Sequence, residues 1–273
     1  MAARRRLDAE LVRRKIARSR EQACQLIREG RVFVQGIQAQ KPATQVEPDV
    51  SIRVEGAEVD NYASRGAHKL LGALAAFSPM GLSLESKRVL DAGASTGGFS
   101  DVALREGASK VWAVDVGYGQ LIWRLQNDPR VEVLDRTNIR HLTPEMLGQP
   151  AQVMVGDLSF ISLRLVLPAI VACMADGADL LPMVKPQFEV GKQRLGSGGV
   201  VRDPALRAEV VSDVARFAQT LGLSLKGVVA SPLPGPSGNV EYFLWLNKDQ
   251  GTNALDDQRI DTLVQQAVEE GPA

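Results

Sequence analysis

The sequence predicts an α/β protein in which a small α+β module (1–59) precedes a mostly parallel, Rossmann-like sheet of seven strands. Three observations carry this prediction. Short helix and strand patterns fill the first part of the chain, and seven apolar strand patterns follow between residues 88 and 246. Helical patterns separate the first five of these strands, which is typical of parallel βαβ units. A glycine-rich turn follows the first strand, where such units bind nucleosides.

The N-terminal module is predicted to contain two helices and two strands. The first helix covers residues 4–17. The second, over 20–29, begins after Ser19, a residue type that caps helices through its hydroxyl, and ends at Gly30. Two strand patterns with alternating apolar residues follow, RVFVQG (31–36) and DVSIRV (49–54).

Charge is unevenly spread along a chain whose net charge is zero. Residues 1–31 carry ten Lys or Arg and four Asp or Glu, whereas residues 249–273 carry one Arg and six Asp or Glu. The basic module therefore predicts a polyanionic partner, with a solvated helix surface as the alternative. The candidate phosphate contacts in the module are Arg4, Arg6, Arg18, Arg20 and Lys41.

The stretch VLDAGASTGGF (89–99) indicates a strand, a glycine turn and a helix start. Glycines let the backbone approach a ligand closely, and a helix start offers free N–H groups. Asp115 ends the next strand 22 residues after Gly93, close to the spacing expected for an acid that binds ribose hydroxyls. The stretch therefore predicts a nucleoside site.

The glycine spacing favours S-adenosylmethionine as the nucleoside. G-x-x-x-G-G differs from the G-x-G-x-x-G of dinucleotide binders, and the carboxylate of Asp91 suits a sulfonium cation better than a diphosphate. We expect Asp91 and the glycines to hold the methionine end, Asp115 the ribose and Asp135 the adenine. The predicted donor-binding residues are Asp91, Gly93, Ser95, Thr96, Gly97, Gly98, Phe99, Asp115, Asp135 and Asp157.

The seven predicted strands follow the plan of class I methyltransferases. The sequence PGPSG joins the last two strands as a hairpin, so the final strand is antiparallel, and residues 203–222 form an amphipathic helix. Parallel sheets of this kind bind ligands at the carboxyl edge of their strands. The strands are predicted at 88–93, 110–116, 130–135, 152–157, 178–186, 225–233 and 239–246.

Four charged residues are predicted to meet at that edge. Asp157 and Lys185 end the fourth and fifth strands, and Glu241 begins the last strand, which returns from the hairpin at the same edge. Lys69 can reach the edge from a helix over 64–77. Each of these four residues, taken alone, is explained as a solvated charge. Their predicted placement together at one edge of the sheet indicates a catalytic site. The candidate RNA contacts beside this site are Arg65, Lys192 and Arg194. The last two lie on a glycine-rich loop, and the alternative is that the charges of this loop are incidental.

The cysteine spacing and the lengths of the apolar runs bear on metal sites, disulfides, membrane spans and secretion. Cys24 and Cys173 lie far apart, which predicts neither a metal site nor a disulfide framework. The longest apolar run, 161–175, is too short to span a bilayer, and residues 1–31 lack the apolar core of a signal peptide. We therefore expect a soluble, cytoplasmic protein. Its expected parts are the module (1–59), a linker (60–63), the sheet domain (64–248) and an acidic tail (249–273).

Two resemblances add to this reading. The phrase R-S-R-x-x-A-x-x-L-I-x-x-G-x-V-x-V-x-G within residues 5–55 resembles the S4 domain, which implies RNA binding through shape. From Arg5 to Leu246 the chain resembles the TlyA family, which is similar to FtsJ-type ribose 2′-O-methyltransferases and was named for hemolysins. The matching motifs are SRGAHKL, DAGASTGGF, DRTN, GDLSFISL, VKPQFE, GGVVRD and GNVEYF.

The resemblance implies S-adenosylmethionine-dependent 2′-O-methylation of cytidine in ribosomal RNA. The FtsJ-type tetrad Lys-Asp-Lys-Glu falls on Lys69, Asp157, Lys185 and Glu241, with Lys185 as the candidate base. Some relatives carry Arg-x-Trp-Val before the SRG motif, in a linker implicated in donor binding, whereas this chain has Asp-Asn-Tyr-Ala at 60–63.

Three other functions compete with this one. The chain could be an RNA-binding or ribosome-assembly protein with an inactive methyltransferase fold, although an inactive fold has no need of all four tetrad charges. The hemolysin name suggests membrane lysis, which the lack of an apolar spanning run disfavours. A dehydrogenase is disfavoured by the glycine spacing.

Overall fold

The computed structural model divides the chain into two compact units, Met1–Asn61 and Tyr62–Ala273. Several residues used in the sequence argument lie outside the described residues, namely Arg18, Asp49, Asp60, Asn61 and Lys192. Tyr62 and Ala63, the other half of the predicted linker, belong to the second unit. The structure describes residues 4–14, 16–17, 19–48, 50–54, 62–191, 193–235 and 237–272.

In the first unit, two helices pack on two small antiparallel sheets. Helix α1 is Leu7–Arg13 and helix α2 is Arg20–Arg28, which starts where predicted because the N–H of Gln22 donates to Ser19 Oγ at 3.2 Å. The sheets pair β1 with β4, and β2 with both β3 and β5. The strands are β1 (Arg5–Arg6), β2 (Val32–Val34), β3 (Ile37–Gln38), β4 (Gln45–Val46) and β5 (Ile52–Val54).

Helix α1 is shorter than the predicted helix over 4–17. Arg5 and Arg6 are extended and pair with β4, so the helix cannot begin before Leu7. At the other end, the N–H groups of Ile16 and Ala17 both donate to Leu11 O, which closes the helix after Arg13. Leu7 and Leu11 face the small apolar core of this unit, as the sequence pattern predicts.

In the described part of the second unit, seven strands form one sheet in the order β8–β7–β6–β9–β10–β12–β11. Strand β12 is antiparallel to both neighbours, and the pairs from β8 to β10 are parallel. The predicted fold class is confirmed. The strands are β6 (Arg88–Ala92), β7 (Lys110–Val114), β8 (Val131–Leu134), β9 (Ala151–Gly156), β10 (Met174–Val184), β11 (Ser224–Ala230) and β12 (Tyr242–Asn247).

Helices cover both faces of this sheet. The helices are α3 (Ala67–Phe77), α4 (Gly98–Arg105), α5 (Trp123–Gln126), α6 (Pro144–Leu147), α7 (Leu167–Ala172), α8 (Pro186–Glu189), α9 (Pro204–Thr220) and α10 (Asp257–Glu270). Alternate residues of β6 serve the two faces: Val89 packs with α3 and α4, and Leu90 packs with α7, α9 and α10. None of the helices within the described ranges is long and apolar enough to cross a membrane.

Helix α3 differs from its prediction, and helix α10 lies in the part of the chain that was predicted only as an acidic tail. Helix α3 begins at Ala67 rather than after Ser64, because the Ser64 hydroxyl accepts from the N–H of Gly66 in a turn that precedes the helix. In the acidic tail, α10 is a full helix whose residues Ile260, Val264 and Val268 are buried in the core beside α9.

Asp91 is a buried carboxyl in the central strand β6. Its Oδ2 accepts a hydrogen bond from Ser100 Oγ at 2.6 Å, and its Oδ1 has no partner among the described groups. Burial raises the pKa of this carboxyl from 3.8 to about 7. The folded protein therefore holds a proton on Asp91 over a pH range in which the unfolded chain releases it.

We expect the variant Asp91→Asn to gain thermal stability relative to wild type as pH rises from about 4 to about 7. Across this window the raised carboxyl pKa lowers wild-type stability, whereas an asparagine mimics the protonated acid and does not titrate. Melting temperatures at several pH values check this, with the exposed Glu106→Gln as control. A difference between variant and wild type that does not change with pH would contradict it.

Candidate active site

The glycine turn between β6 and α4 is packed too tightly for other residues. Gly93 has a φ of +87°, and a Cβ there would lie 3.1 Å from the carbonyl oxygen of Asp157. At Gly98 a Cβ would lie 2.3 Å from Ser64 Oγ and 3.1 Å from the backbone nitrogen of Ala67. The glycines therefore let the turn lie against both the end of β9 and the start of α3.

Asp115 braces this turn from the end of β7. Its Oδ2 accepts from the N–H of Ser95 at 2.8 Å, and its Oδ1 accepts from the N–H of Gly117 at 2.7 Å. Each carboxylate oxygen keeps a lone pair for a further donor. Asp135, after β8, is bonded instead to the N–H of Gly119 at 2.9 Å.

Two adjoining cavities open beside the turn, and both reach Gly93, Ser95 and Asp157. The first, which we call the turn cavity, has a volume of ≈ 560 Å³ and also touches Lys69. The second, the ribose cavity, has a volume of ≈ 530 Å³ and also touches Asp115. Of the predicted donor-binding residues, those that line one or both cavities are Gly93, Ser95, Thr96, Gly98, Phe99, Asp115 and Asp157.

Three predicted donor-binding residues do not line these cavities. Asp91 lies beneath the turn, bonded to Ser100. A Cβ at Gly97 would lie 2.3 Å from a methyl of Leu125, which shows that this glycine faces apolar side chains. Asp135 lines neither cavity, although Thr137 and Asn138, shortly after it in the chain, line the ribose cavity. The lining residues that sequence reasoning missed include Gln120, Thr137, Asn138 and Ser159, of which the DRTN motif signalled two.

The structure brings together the four charged residues singled out at the sheet edge. Asp157 follows β9, Lys185 follows β10, Glu241 precedes β12, and Lys69 projects from the first turn of α3. Both lysines and Glu241 are buried. Charges of opposite sign are neighbours throughout this cluster, which we call the charged ring.

Ion pairs close the charged ring on all four sides. Lys69 Nζ lies 2.6 Å from Glu241 Oε2 and 3.7 Å from Asp157 Oδ2. Lys185 Nζ lies 2.5 Å from Asp157 Oδ1 and 4.0 Å from Glu241 Oε1. Because two positive and two negative groups alternate, each buried charge has an opposite charge beside it, which is the condition for keeping ionised groups out of water.

A third cavity, of ≈ 890 Å³, is lined by two members of the ring, Lys185 and Glu241. We call it the aromatic cavity because Phe160 and Phe188 also line it, with ring centroids 5.2 Å apart. Phe160 is 90% exposed and holds a left-handed φ of +64°. An exposed ring in such a conformation is suited to stacking on a planar ligand.

Basic residues predicted to contact RNA are exposed in the first unit. Arg6 and Arg20 both bind the buried carboxylate of Asp8, at 2.9 and 3.0 Å, and the hydrogen bond from Arg6 keeps the pKa of Asp8 well below its usual range. Arg4 pairs with Glu47 at 3.3 Å. Lys41 is also exposed.

In the second unit, Arg65 is exposed and lines the turn cavity. Arg194 lies in an ion pair with Glu209 at 2.6 Å, so a phosphate would have to compete for it. Positions 18 and 192, also predicted to bind RNA, belong to the part of the chain that the structure does not describe.

Comparisons with known proteins show which family the chain belongs to. A model of FtsJ-like methyltransferases matches residues 62–248, and a model of S4 domains matches residues 5–52. Over 272 residues, covering 100% of both chains, the sequence is 57% identical to the 16S/23S rRNA (cytidine-2′-O)-methyltransferase TlyA of Mycobacterium tuberculosis. It is 35% identical to Hemolysin A of Brachyspira hyodysenteriae, over 87% of this chain and 98% of that one.

Solved structures give the same result. A Streptococcus thermophilus protein named as a hemolysin is 36% identical, with a TM-score of 0.72 over 99% of this chain and 98% of that chain. A similarly named Lactococcus lactis structure is 38% identical, with a TM-score of 0.70 over 76% of this chain and 98% of that chain. The match to a methyltransferase family decides against the dehydrogenase alternative. The chain belongs to the TlyA family, in which an S4 domain precedes an FtsJ-like methyltransferase domain.

Proposed function

We propose that the protein methylates the ribose 2′-hydroxyl of a cytidine in ribosomal RNA, with S-adenosylmethionine as the methyl donor. The observation that carries this proposal is the position of the charged ring. It lies where the turn cavity and the aromatic cavity approach each other, so a donor on one side and an acceptor on the other would meet at its lysines. The choice of cytidine rests on the relative from M. tuberculosis.

The donor fits the residues around the turn. The glycine turn lets a ligand lie close to the backbone. The carboxylate oxygens of Asp115 have lone pairs free for the two ribose hydroxyls. We assign the methionine end to the turn cavity, where Asp157 and the N-terminus of α4 lie. When bound, S-adenosylmethionine supplies an electrophilic methyl group on a cationic sulfur.

The acceptor nucleoside fits the aromatic cavity. Phe160 and Phe188 offer their rings to a base, and Lys185 lies at the same cavity to receive a ribose. A 2′-hydroxyl is a poor nucleophile until it loses its proton, so a base must stand beside it. Lys185 must first release its own proton to solvent, and the neutral amine then takes the hydroxyl proton. The hydroxyl oxygen would bond to the methyl carbon as the carbon–sulfur bond breaks, leaving S-adenosylhomocysteine. Asp157 and Glu241 hold the two lysines, and Lys69 keeps Glu241 paired throughout.

We assign RNA binding to residues 1–59 and methyl transfer to residues 64–248, with 60–63 as the linker. Asp8 supports the first assignment because one buried carboxylate holds two exposed guanidinium groups side by side. Guanidinium pairs of this kind match phosphate oxygens. The substrate is then a ribosomal subunit, and the protein acts in the cytoplasm where subunits are assembled.

The inactive-fold and lytic alternatives are separated from this proposal by one assay. Tritiated S-adenosylmethionine is incubated with small and large ribosomal subunits that lack the modification. Label in the RNA of either subunit supports the proposal and names the subunit. Donor binding without label on any subunit would favour a binding-only role, and dye release from liposomes would favour lysis.

In that assay we expect Lys185→Ala to lower the methyl-transfer rate by about 10²–10⁴-fold, because the base is lost. Binding of S-adenosylmethionine, measured by calorimetry, should stay near wild type, since Lys185 lies outside the turn and ribose cavities. Lys226→Ala, which removes an exposed lysine of β11, is the matched control. Full activity of Lys185→Ala would remove this residue from the mechanism.

We expect Arg20→Ala to weaken binding of the protein to its subunit and to reduce the salt dependence of that binding. Each lost phosphate contact should lower the slope of log K against log salt by about 1. The control is Arg216→Ala, whose side chain pairs with Asp257 and Asp261 of α10. An unchanged salt slope for Arg20→Ala would show that Arg20 does not contact phosphate.

A further inference from the structure

The short loop after β9 supplies a contact to the charged ring that the tetrad does not include. Ser159 Oγ accepts a hydrogen bond from Lys185 Nζ at 2.8 Å. Ser159 also lines both the ribose cavity and the aromatic cavity. Its hydroxyl is therefore beside the proposed base and at the boundary between the proposed donor and acceptor sites.

This hydrogen bond is the directional contact of Lys185. Asp157 Oδ1 is closer, at 2.5 Å, in an ion pair whose angles do not meet hydrogen-bond geometry. Glu241 Oε1 lies at 4.0 Å, beyond hydrogen-bond distance. Within the described ranges, Ser159 is the one side chain that forms a hydrogen bond with Lys185 Nζ.

The loop that carries Ser159 is fastened to the segment that carries Lys185. Glu189, at the end of α8, accepts from Ser162 Oγ at 2.6 Å and from the N–H of Leu163 at 2.7 Å. Lys185 lies immediately before the same short helix. Because both ends of the Ser159–Lys185 contact are tied through Glu189, the loop cannot shift without moving the lysine.

Orientation matters for a lysine that acts as a base. A neutral amine has two N–H bonds and a single lone pair, and only the lone pair can take the hydroxyl proton. Two carboxylates lie beside Lys185, and an unguided amine would turn toward them. A hydrogen bond to Ser159 fixes one N–H direction, and attraction to Asp157 accounts for the second, which leaves the third position for the aromatic cavity.

We propose that Ser159 is a positioning residue that fixes the rotation of Lys185 Nζ, so that the lone pair of the amine faces the acceptor hydroxyl. The proposal rests on the proposed function, since it assumes that Lys185 is the base. It assigns a role to a residue of the GDLSFISL motif outside the tetrad. The loop fastened by Glu189 holds Ser159 in place for this role.

The test compares Ser159→Ala, Ser159→Thr and the control Ser109→Ala, at an exposed serine that lines none of the three cavities. We expect Ser159→Ala to lower kcat by about 10- to 100-fold, as misaligned groups do, while KM for the subunit and Kd for S-adenosylmethionine change by less than about twofold. Ser159→Thr keeps a hydroxyl and should recover kcat to within about threefold of wild type. Ser109→Ala should stay within about threefold, because its hydroxyl donates to the backbone oxygens of Ser86 and Lys87, away from the charged ring.

A second readout does not depend on catalysis. In the protein without donor or RNA, the Nζ-hydrogen signal of Lys185 in ¹H–¹⁵N spectra, assigned with Lys185→Arg, reports whether the hydrogen bond slows exchange with water. We expect the signal in wild type and in Ser109→Ala, and its loss in Ser159→Ala. A signal that survives in Ser159→Ala, or a kcat that stays near wild type, would overturn the proposal.

Failure of the proposed function would give results that differ from failure of the Ser159 proposal. If wild type transfers no label to either subunit, or if Lys185→Ala remains fully active, the assignment of the reaction or of the base is wrong whatever the spectra show. If Lys185 is required and Ser159→Ala raises KM or Kd with kcat unchanged, the function stands, and Ser159 serves binding rather than orientation.

Discussion

The charged ring is the constraint on which the rest of the second unit depends. Buried charges are tolerated only in the company of opposite charges, so Lys69, Lys185, Asp157 and Glu241 must all reach one edge of the sheet. Parallel strands bring their last residues to that edge, which places Asp157 and Lys185. Glu241 lies immediately before β12 and can join them only because β12 is antiparallel to β10. The reversed strand is therefore a requirement of the site.

The same edge separates two kinds of surface. On one side, Gly93 and Asp115 give a polar, backbone-rich surface. On the other, Phe188 gives an apolar one, and Phe160 lines both the ribose cavity and the aromatic cavity. Asp157 belongs to both the turn and ribose cavities and pairs with both lysines, so it connects the donor side to the charged ring. This division suits the proposed reaction, in which a cationic donor and a nucleoside meet at the charged ring.

The sequence predicted all seven strands of the sheet and the carboxyl ends of β6 to β10 to within two residues, which is why it placed Asp157 and Lys185 correctly. Other bounds were less accurate: β10 begins four residues before its predicted start, at Met174, and β12 begins three residues after its predicted start, at Tyr242. The sequence predicted less well which way side chains point near the turn. Asp91 looked like a ligand contact, yet strand alternation puts it on the face of Val89, under α4, where Ser100 binds it. Phe160 and Ser159 sit in an irregular loop whose path depends on Glu189, 26 or more residues away, and no local pattern signals that contact.

Helix α10 bears on how much of the chain is needed for a stably folded second unit. The FtsJ-like match ends at residue 248, yet Ile260, Val264 and Val268 fill the core beyond it. Burying three such side chains contributes about 5–9 kcal/mol, which is comparable to the roughly 5–15 kcal/mol that holds a whole domain folded. A chain cut at the end of the recognisable catalytic domain would leave the apolar side of α9 and β11 open to water. The folding boundary therefore lies some twenty residues beyond the boundary of the family match.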